Sequence, residues 1–241
     1  MKKLLLLVFV STLGLILQAQ NEKIIQDKNA EVRNVKGFHG IHVSSGIDLY
    51  LTQTNDEAVA ISASDPDVRQ RIKTVVEDGF LKIYLEDRGM HWGWHDMKLK
   101  AYVSFKNLDD LNASGGSDIY PESNLKVAKL DIRLSGGSDL KGATVDIQEL
   151  YIDQSGGSDV HISGQVQNLK VTASGGSDLH GFDLTADNCR ISASGGSDAR
   201  ITVNKELNVD ASGGSDIYYK GSGVIKELRT SGSSSISKKG S

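Results

Sequence analysis

Six copies of the pentapeptide Ser-Gly-Gly-Ser-Asp place carboxylates at Asp118, Asp139, Asp159, Asp178, Asp198 and Asp216. The copies begin at Ser114, Ser135, Ser155, Ser174, Ser194 and Ser212, at intervals of 21, 20, 19, 20 and 18 residues. Ser231-Gly232-Ser233-Ser234-Ser235 follows as a worn seventh copy. A period near 20 fits one coil of a solenoid, which would align the six carboxylates in a column about 4.8 Å apart. Two charges at that spacing repel by about 0.9 kcal/mol in water and about 3.5 kcal/mol at an effective dielectric of 20. Such a column must be wet, hydrogen-bonded or neutralised by cations. In the structural reading each Asp accepts hydrogen bonds from corner N–H or Ser hydroxyl groups, and the Gly pair supplies conformations that other residues avoid. In the functional reading the column is a calcium-binding edge, because hard cations want several oxygens. The nonapeptide calcium repeat is not matched, since these Asp residues recur about every twenty positions rather than every nine.

A second candidate is Met90-His91-Trp92-Gly93-Trp94-His95, which holds both Trp residues and two of the six His. In an extended loop Trp92 and Trp94 share one side, His91 and His95 the other. Exposed aromatics there can stack on a sugar ring, and the His pair can join Asp87 or Asp96 around a metal. The structural alternative is a Trp pair covering an open solenoid edge. Cys189, the only cysteine, falls at an aliphatic position of the repeat and reads as a small buried hydrophobe rather than a nucleophile.

The elements that position these residues are strands. Three places before each pentapeptide stand Leu111, Ile132, Ile152, Val171, Ile191, Val209 and, before the worn copy, Leu228. Five places before stand Leu130, Leu150, Leu169, Cys189 and Leu207 in the central coils, with Asp109 and Lys226 in the outer ones. One place before stand Ala113, Leu134, Gln154, Ala173, Ala193 and Ala211. Apolar residues at −5, −3 and −1 have period two, the mark of a strand with one face buried. Ile119, Leu140, Val160, Leu179, Ala199, Ile217 and Ile236 follow the corner as the next inward set. Each coil therefore reads strand, corner, strand, corner, and the fold is all-β, a single-chain β-solenoid of the β-helix kind. The outward columns before the corner carry neither an aromatic stripe nor a single sign of charge.

The N-terminal half is less regular. Phe38, Ile41 and Val43 lead into Ser44-Ser45-Gly46-Ile47-Asp48, a divergent coil with its own corner. Asp65-Pro66-Asp67 predicts a short helix with Asp65 as N-cap. Glu77-Asp78-Gly79-Phe80, between Val75-Val76 and Leu81, Ile83 and Leu85, predicts a hairpin turn.

Gly and Ser make up 26 and 28 of the 241 residues, and 24 of those 54 fall in the six pentapeptides, which argues for a repeat over a flexible linker. Met1-Lys2-Lys3, the apolar run from Leu4 to Leu17 and Gln18-Ala19 read as a secretory signal peptide cut after Ala19. Removal leaves 25 basic and 31 acidic residues, a formal charge of −6. Mixed signs with an acidic excess exclude a nucleic-acid partner, which needs a basic stripe. The expected organisation is a signal peptide over 1–19, an N-terminal lead over 20–34, an irregular part over 35–110 and the regular repeat over 111–241 of the same domain. After signal cleavage the protein is not expected to be an integral membrane protein.

The Phe38-to-Asp48 lead-in, the Asp-Pro helix followed by a hairpin and the Ser-Gly-Gly-Ser-Asp coils resemble the putative auto-transporter adhesin, head GIN domain family, a domain of unknown function common in Bacteroidetes. The resemblance runs from about Val35 to beyond Ile217 and implies an exported β-solenoid. It carries over no catalytic residue. A membrane barrel of strands about 9–11 residues long is not expected after the last repeat, so surface display would use other machinery.

Three functions compete. The first is a non-enzymatic binding or display module in the periplasm, on the outer-membrane surface or outside the cell, with an envelope glycan or protein as partner. The second is a polysaccharide lyase or glycosidase, since such enzymes set paired carboxylates on a sheet face. Against it, these carboxylates recur in every coil alike, whereas catalysis needs a cluster that breaks the repeat. The third is a calcium-stiffened spacer; no other cofactor is implied.

Overall fold

The computed structural model describes residues 27–86 and 98–240. The signal segment and the His91–His95 stretch lie outside the described residues.

In chain order the first part contains β1 (Ala30–Arg33), β2 (Gly40–Val43), β3 (Ile47–Gln53), β4 (Ala58–Ser62), α1 (Pro66–Arg71), β5 (Ile72–Glu77), β6 (Phe80–Leu85) and β7 (Leu99–Phe105). The repeat follows as β8 (Asp110–Ala113), β9 (Ile119–Pro121), β10 (Leu125–Leu134), β11 (Leu140–Gln154), β12 (Asp159–Ala173), β13 (Asp178–Ala193), β14 (Asp198–Ala211), β15 (Asp216–Lys220), β16 (Val224–Thr230) and β17 (Ser235–Lys238). The fold is the β-solenoid that the repeat predicts. Successive coils pair in parallel, with Ile132 beside Ile152, Ile152 beside Val171, Val171 beside Ile191 and Ile191 beside Val209.

Two features differ from the sequence reading. The Ser-Gly-Gly-Ser-Asp corner interrupts the ladder, but the second corner does not break the strand. β11 to β14 run 14–16 residues through it, and the bend is taken up by register shifts such as those between His161 and Gly164 and between Gly181 and Thr185. A bulge bends a strand while keeping most ladder bonds. Coil order also departs from chain order. β2 pairs with β6 on one side and β8 on the other, and β3 likewise lies between β7 and β9. The β6–β7 coil is therefore outermost, although it follows β2–β3 in sequence.

Antiparallel strands close that end: β5 on β6, β4 on β7 and β1 on β4. The segment 20–34, read as a lead, thus supplies a sheet strand from Ala30 onward. The predicted hairpin is there, with Asp78 (φ 52°) and Gly79 (φ 81°) both left-handed as a type I′ turn requires. So is the helix, where the Asp65 carboxylate accepts the Asp67 N–H at 2.8 Å.

The core is the set of period-two columns. Leu130, Leu150, Leu169, Cys189 and Leu207 are buried, as are the residues at −3 and −1 of the central coils. Gln154 is fully buried in the −1 column, its amide donating to the Ser158 and Asp178 carbonyls at 2.9 and 3.0 Å. Leu228, expected inward, is 53% exposed, since among the described residues β16 pairs with β14 alone and nothing covers its other side. The second Ser of every pentapeptide is fully buried, which the alternation before the corner does not reveal.

The corners come in two forms. At Ser114 and Ser135 both Gly have positive φ, and the buried Ser hydroxyl accepts an N–H from the coil before: Ile47 to Ser117 and Ser117 to Ser138, each 3.0 Å. From Ser155 onward only the first Gly has positive φ, and the hydroxyl of the second Ser donates to the carbonyl of the first at 2.9–3.0 Å. From the Ser174 corner the second Gly also donates to the coil below, as Gly196 N–H does to the Gly175 carbonyl at 2.7 Å. The change of form falls where Gln154 enters the core.

The two glycines of a corner should therefore differ sharply. A Cβ on Gly195, at φ +78°, would sit 2.6 Å from the Gly175 carbonyl oxygen, whereas one on Gly196 meets nothing closer than 3.8 Å. Urea unfolding should show Gly195→Ala losing about 2–4 kcal/mol and Gly196→Ala changing by less than about 1 kcal/mol.

Candidate functional site

The corner edge gathers the six predicted Asp residues into the expected column, and Asp48 extends it as a seventh. Their carboxylates form a chain of charge-assisted hydrogen bonds. Each backbone N–H donates to the carboxylate one coil earlier: Asp139 to Asp118 (3.0 Å), Asp159 to Asp139 (2.8 Å), Asp178 to Asp159 (3.3 Å), Asp198 to Asp178 (3.2 Å) and Asp216 to Asp198 (3.2 Å). The Ser235 hydroxyl ends the chain on Asp216 at 2.6 Å. One oxygen of each carboxylate thus accepts a corner N–H, and the Asp178 N–H is shared with the Ser158 carbonyl at 3.3 Å.

The other oxygen is answered by a column that sequence reasoning missed. Two residues after each Asp, on the same outward face, stand Tyr50, Tyr120, Lys141, His161, His180, Arg200 and Tyr218. Lys141 bridges Asp118 and Asp139 at 3.4 and 2.5 Å, and its ammonium is held above its usual range chiefly by the Asp139 hydrogen bond. Arg200 reaches Asp198 at 3.5 Å, and the Tyr120 and Tyr218 hydroxyls donate to Asp118 and Asp216 at 3.4 and 3.3 Å. Tyr102 of β7 adds a ring to the same stripe. Tyr102, Tyr50 and Tyr120 stack with centroids 5.2 and 5.0 Å apart, and His161 stacks on His180 at 4.3 Å. The signal was present in the sequence as the position two past each Asp, but its residue types change from coil to coil.

Asp159 and Asp178 break this pattern. Among the described residues neither second oxygen has a cation or hydroxyl partner, and a ligand atom from each lies within 4.8 Å of the other and of one from His180. This is where the column offers oxygens to a cation. At the other end, burial first and the Asp118 charge second push the Asp48 carboxyl above the usual carboxylate range. Cys189 is buried and burial alone raises its thiol pKa, so it is no nucleophile. Trp92, Trp94, His91 and His95 lie outside the described residues; the segment that holds them joins β6 to β7, the strands stacked on β2 and β3.

On the edge away from the Asp column, a groove of about 620 Å³ runs along the axis across β10 to β14. Its floor is the inward column Val127, Ile147 and Val166, and its rims are the outward residues on either side, among them Gln148, Gln165 and Gln167. The volume is within the usual range of about 300–1,000 Å³ for ligand sites.

The family model for the putative auto-transporter adhesin, head GIN domain, matches residues 37–223. The chain belongs to that family. Solved structures share its fold. A putative adhesin from Bacteroides fragilis superposes with a TM-score of 0.77 at 23% identity, covering 88% of this chain and 98% of that one. A putative lipid binding protein from Parabacteroides distasonis gives 0.68 at 21%, covering 88% and 98%. A putative adhesin from Parabacteroides merdae gives 0.64 at 17%, covering 87% and 95%. No curated protein matches the chain. At these identities the likenesses show the fold of the head GIN domain alone.

The raised Asp48 pKa yields a pH test. A carboxyl whose folded pKa lies above its unfolded value binds its proton more tightly when folded, so stability falls as pH rises from the unfolded to the folded pKa. Asp48→Asn keeps an acceptor oxygen and removes the charge. It should raise the Tm at pH 7, and the gain should vanish as pH falls below that window.

Proposed function

We propose that this head GIN domain protein is an exported, non-enzymatic module that binds or is displayed at the cell envelope in the manner of an adhesin. The observation that carries the reading is the aspartate chain. Its carboxylates are engaged coil after coil in holding the solenoid together, and a group tied into a repeating ladder is poorly placed to give or take a proton at one reacting atom. The proteins that share the fold, putative adhesins and a putative lipid binding protein, point the same way. Among the described residues no helix is long and apolar enough to cross a membrane.

Cell fractionation and polysaccharide turnover test this together. The full chain should leave the cytoplasm, and deletion of residues 2–19 should retain it there. The purified protein should bind envelope material without releasing new sugar ends. Sustained turnover that a point variant abolishes would replace the module with an enzyme.

A second reading is favoured by the unpartnered oxygens of Asp159 and Asp178 beside His180: a cation held there stiffens the middle of the solenoid. Millimolar calcium should then raise the melting temperature, and Asp159→Asn with Asp178→Asn should abolish the rise. An unchanged wild-type melt at that calcium concentration removes the cation.

A further inference from the structure

We propose that the β15–β17 end of the solenoid docks on an anionic lipid bilayer through a basic rim around an apolar centre. This rests on the reading of the protein as an envelope module and gives that module a surface and a partner.

Charge is divided unevenly along the axis. Residues 217–241 hold five basic side chains and one acidic, whereas residues 20–216 hold 20 and 30. A positive end therefore sits on a negative protein. The five are Lys220, Lys226, Arg229, Lys238 and Lys239. Tyr219 of β15 pairs with Lys238 of β17, so Lys220 and Lys239 follow on adjoining coils and three cations gather on the strand after the corner. Each ammonium lies over a ring: Lys220 over Phe182 at 4.6 Å, Lys238 over Tyr219 at 5.7 Å and Lys239 over Tyr218 at 4.3 Å. A ring holds a cation in place without cancelling its charge. Among the described residues none of the three has an acidic partner. Lys226 and Arg229 stand across the corner on β16, where Lys226 has only a long 3.8 Å contact with Glu206.

Between the two groups of cations the core comes to the surface. Among the described residues β16 pairs with β14 alone and β17 with β15 alone, so the outer edge of each is open. Leu228, in an inward column, is 53% exposed, and Val224 is 60% exposed. Ile225 and Ile236 are only partly buried against the core. The corner joining the two strands has also lost its carboxylate, since Ser235 stands in register with Asp216. The open coil is thus the one in which the repeat drops its aspartate.

A bilayer surface answers all of these features together. A soluble polyanion would neutralise the cations and leave Leu228 and Val224 in water. A second copy on the same face would set five cations against five. A layer of anionic head groups is broad enough to meet the cations on both sides of the corner, and the acyl region beneath it takes the exposed aliphatic side chains. The acidic remainder of the protein then points away from the like-charged membrane.

The test is co-sedimentation of the chain from Gln20 to Ser241 with phosphatidylcholine vesicles, with and without phosphatidylglycerol. Leaving out residues 1–19 keeps their apolar run from entering the bilayer. Only the vesicles with phosphatidylglycerol should bind, and salt near 1 M, which screens charges beyond about 3 Å, should release most of the protein. One cation near such a surface is worth roughly fivefold in affinity. Lys220→Gln with Lys238→Gln and Lys239→Gln should therefore bind about 100-fold more weakly. Val224→Ser with Leu228→Ser, which leaves the charge unchanged, should bind severalfold more weakly. Lys126→Gln with Lys129→Gln, two exposed cations of β10, should bind as wild type, and the two lysine variants should keep the wild-type melting temperature. Equal binding to both kinds of vesicle, binding that survives the triple lysine change, or tighter binding to a soluble sulfated polysaccharide overturns the assignment. If envelope material is bound and the vesicles are not, the docking surface fails while the binding module stands. If neither is bound, both fail.

Discussion

Parallel stacking in register forces like residues onto like, and at the sharp corner of each coil this brings one carboxylate above another. The structure depends on how that repulsion is turned into attraction. Each carboxylate accepts the backbone N–H of the next Asp, at 2.8–3.3 Å along the column. Each of these charges thus meets a corner N–H, of which that of Asp178 is shared with the Ser158 carbonyl. The second oxygen needs its own answer, and for Asp118, Asp139, Asp198 and Asp216 it comes from Lys141, Arg200 or a Tyr hydroxyl.

Much of this was legible in the sequence. The spacing of the pentapeptides set the coil length, and the residues at −5, −3 and −1 marked the inward face, down to Cys189 standing in for a leucine. Asp78-Gly79 and Asp65-Pro66 announced the hairpin and the helix through local backbone chemistry. What escaped was whatever depends on which coil lies beside which. β2–β3 comes first in the chain yet is the second coil of the stack, because the pattern of one strand says that it has neighbours and not which they are. Leu228 looked like its six equivalents and is exposed, since burial there needs a following coil.

The candidate site was legible only in half. The Asp column followed from the repeat. Its partner column did not, because Tyr, Lys, His and Arg occupy it in turn and share a position rather than a residue type. The groove was hidden for another reason. Period two shows which residues point outward, but the bends that turn two outward columns into facing rims are made by bulges, and bulges leave only a stray Gly as a trace.

The claim that the aspartates are stacking devices before they are ligands is tested most directly by native-state amide exchange, resolved by residue. The amides of Asp139, Asp159, Asp178, Asp198 and Asp216 should be protected as strongly as the core amides of Ile152 and Val171. In an Asp139→Ala variant the Asp159 amide, which donates to the Asp139 carboxylate at 2.8 Å, should lose that protection while Asp216 keeps it. Exchange of the Asp amides in the wild-type protein as fast as an exposed turn would contradict the account.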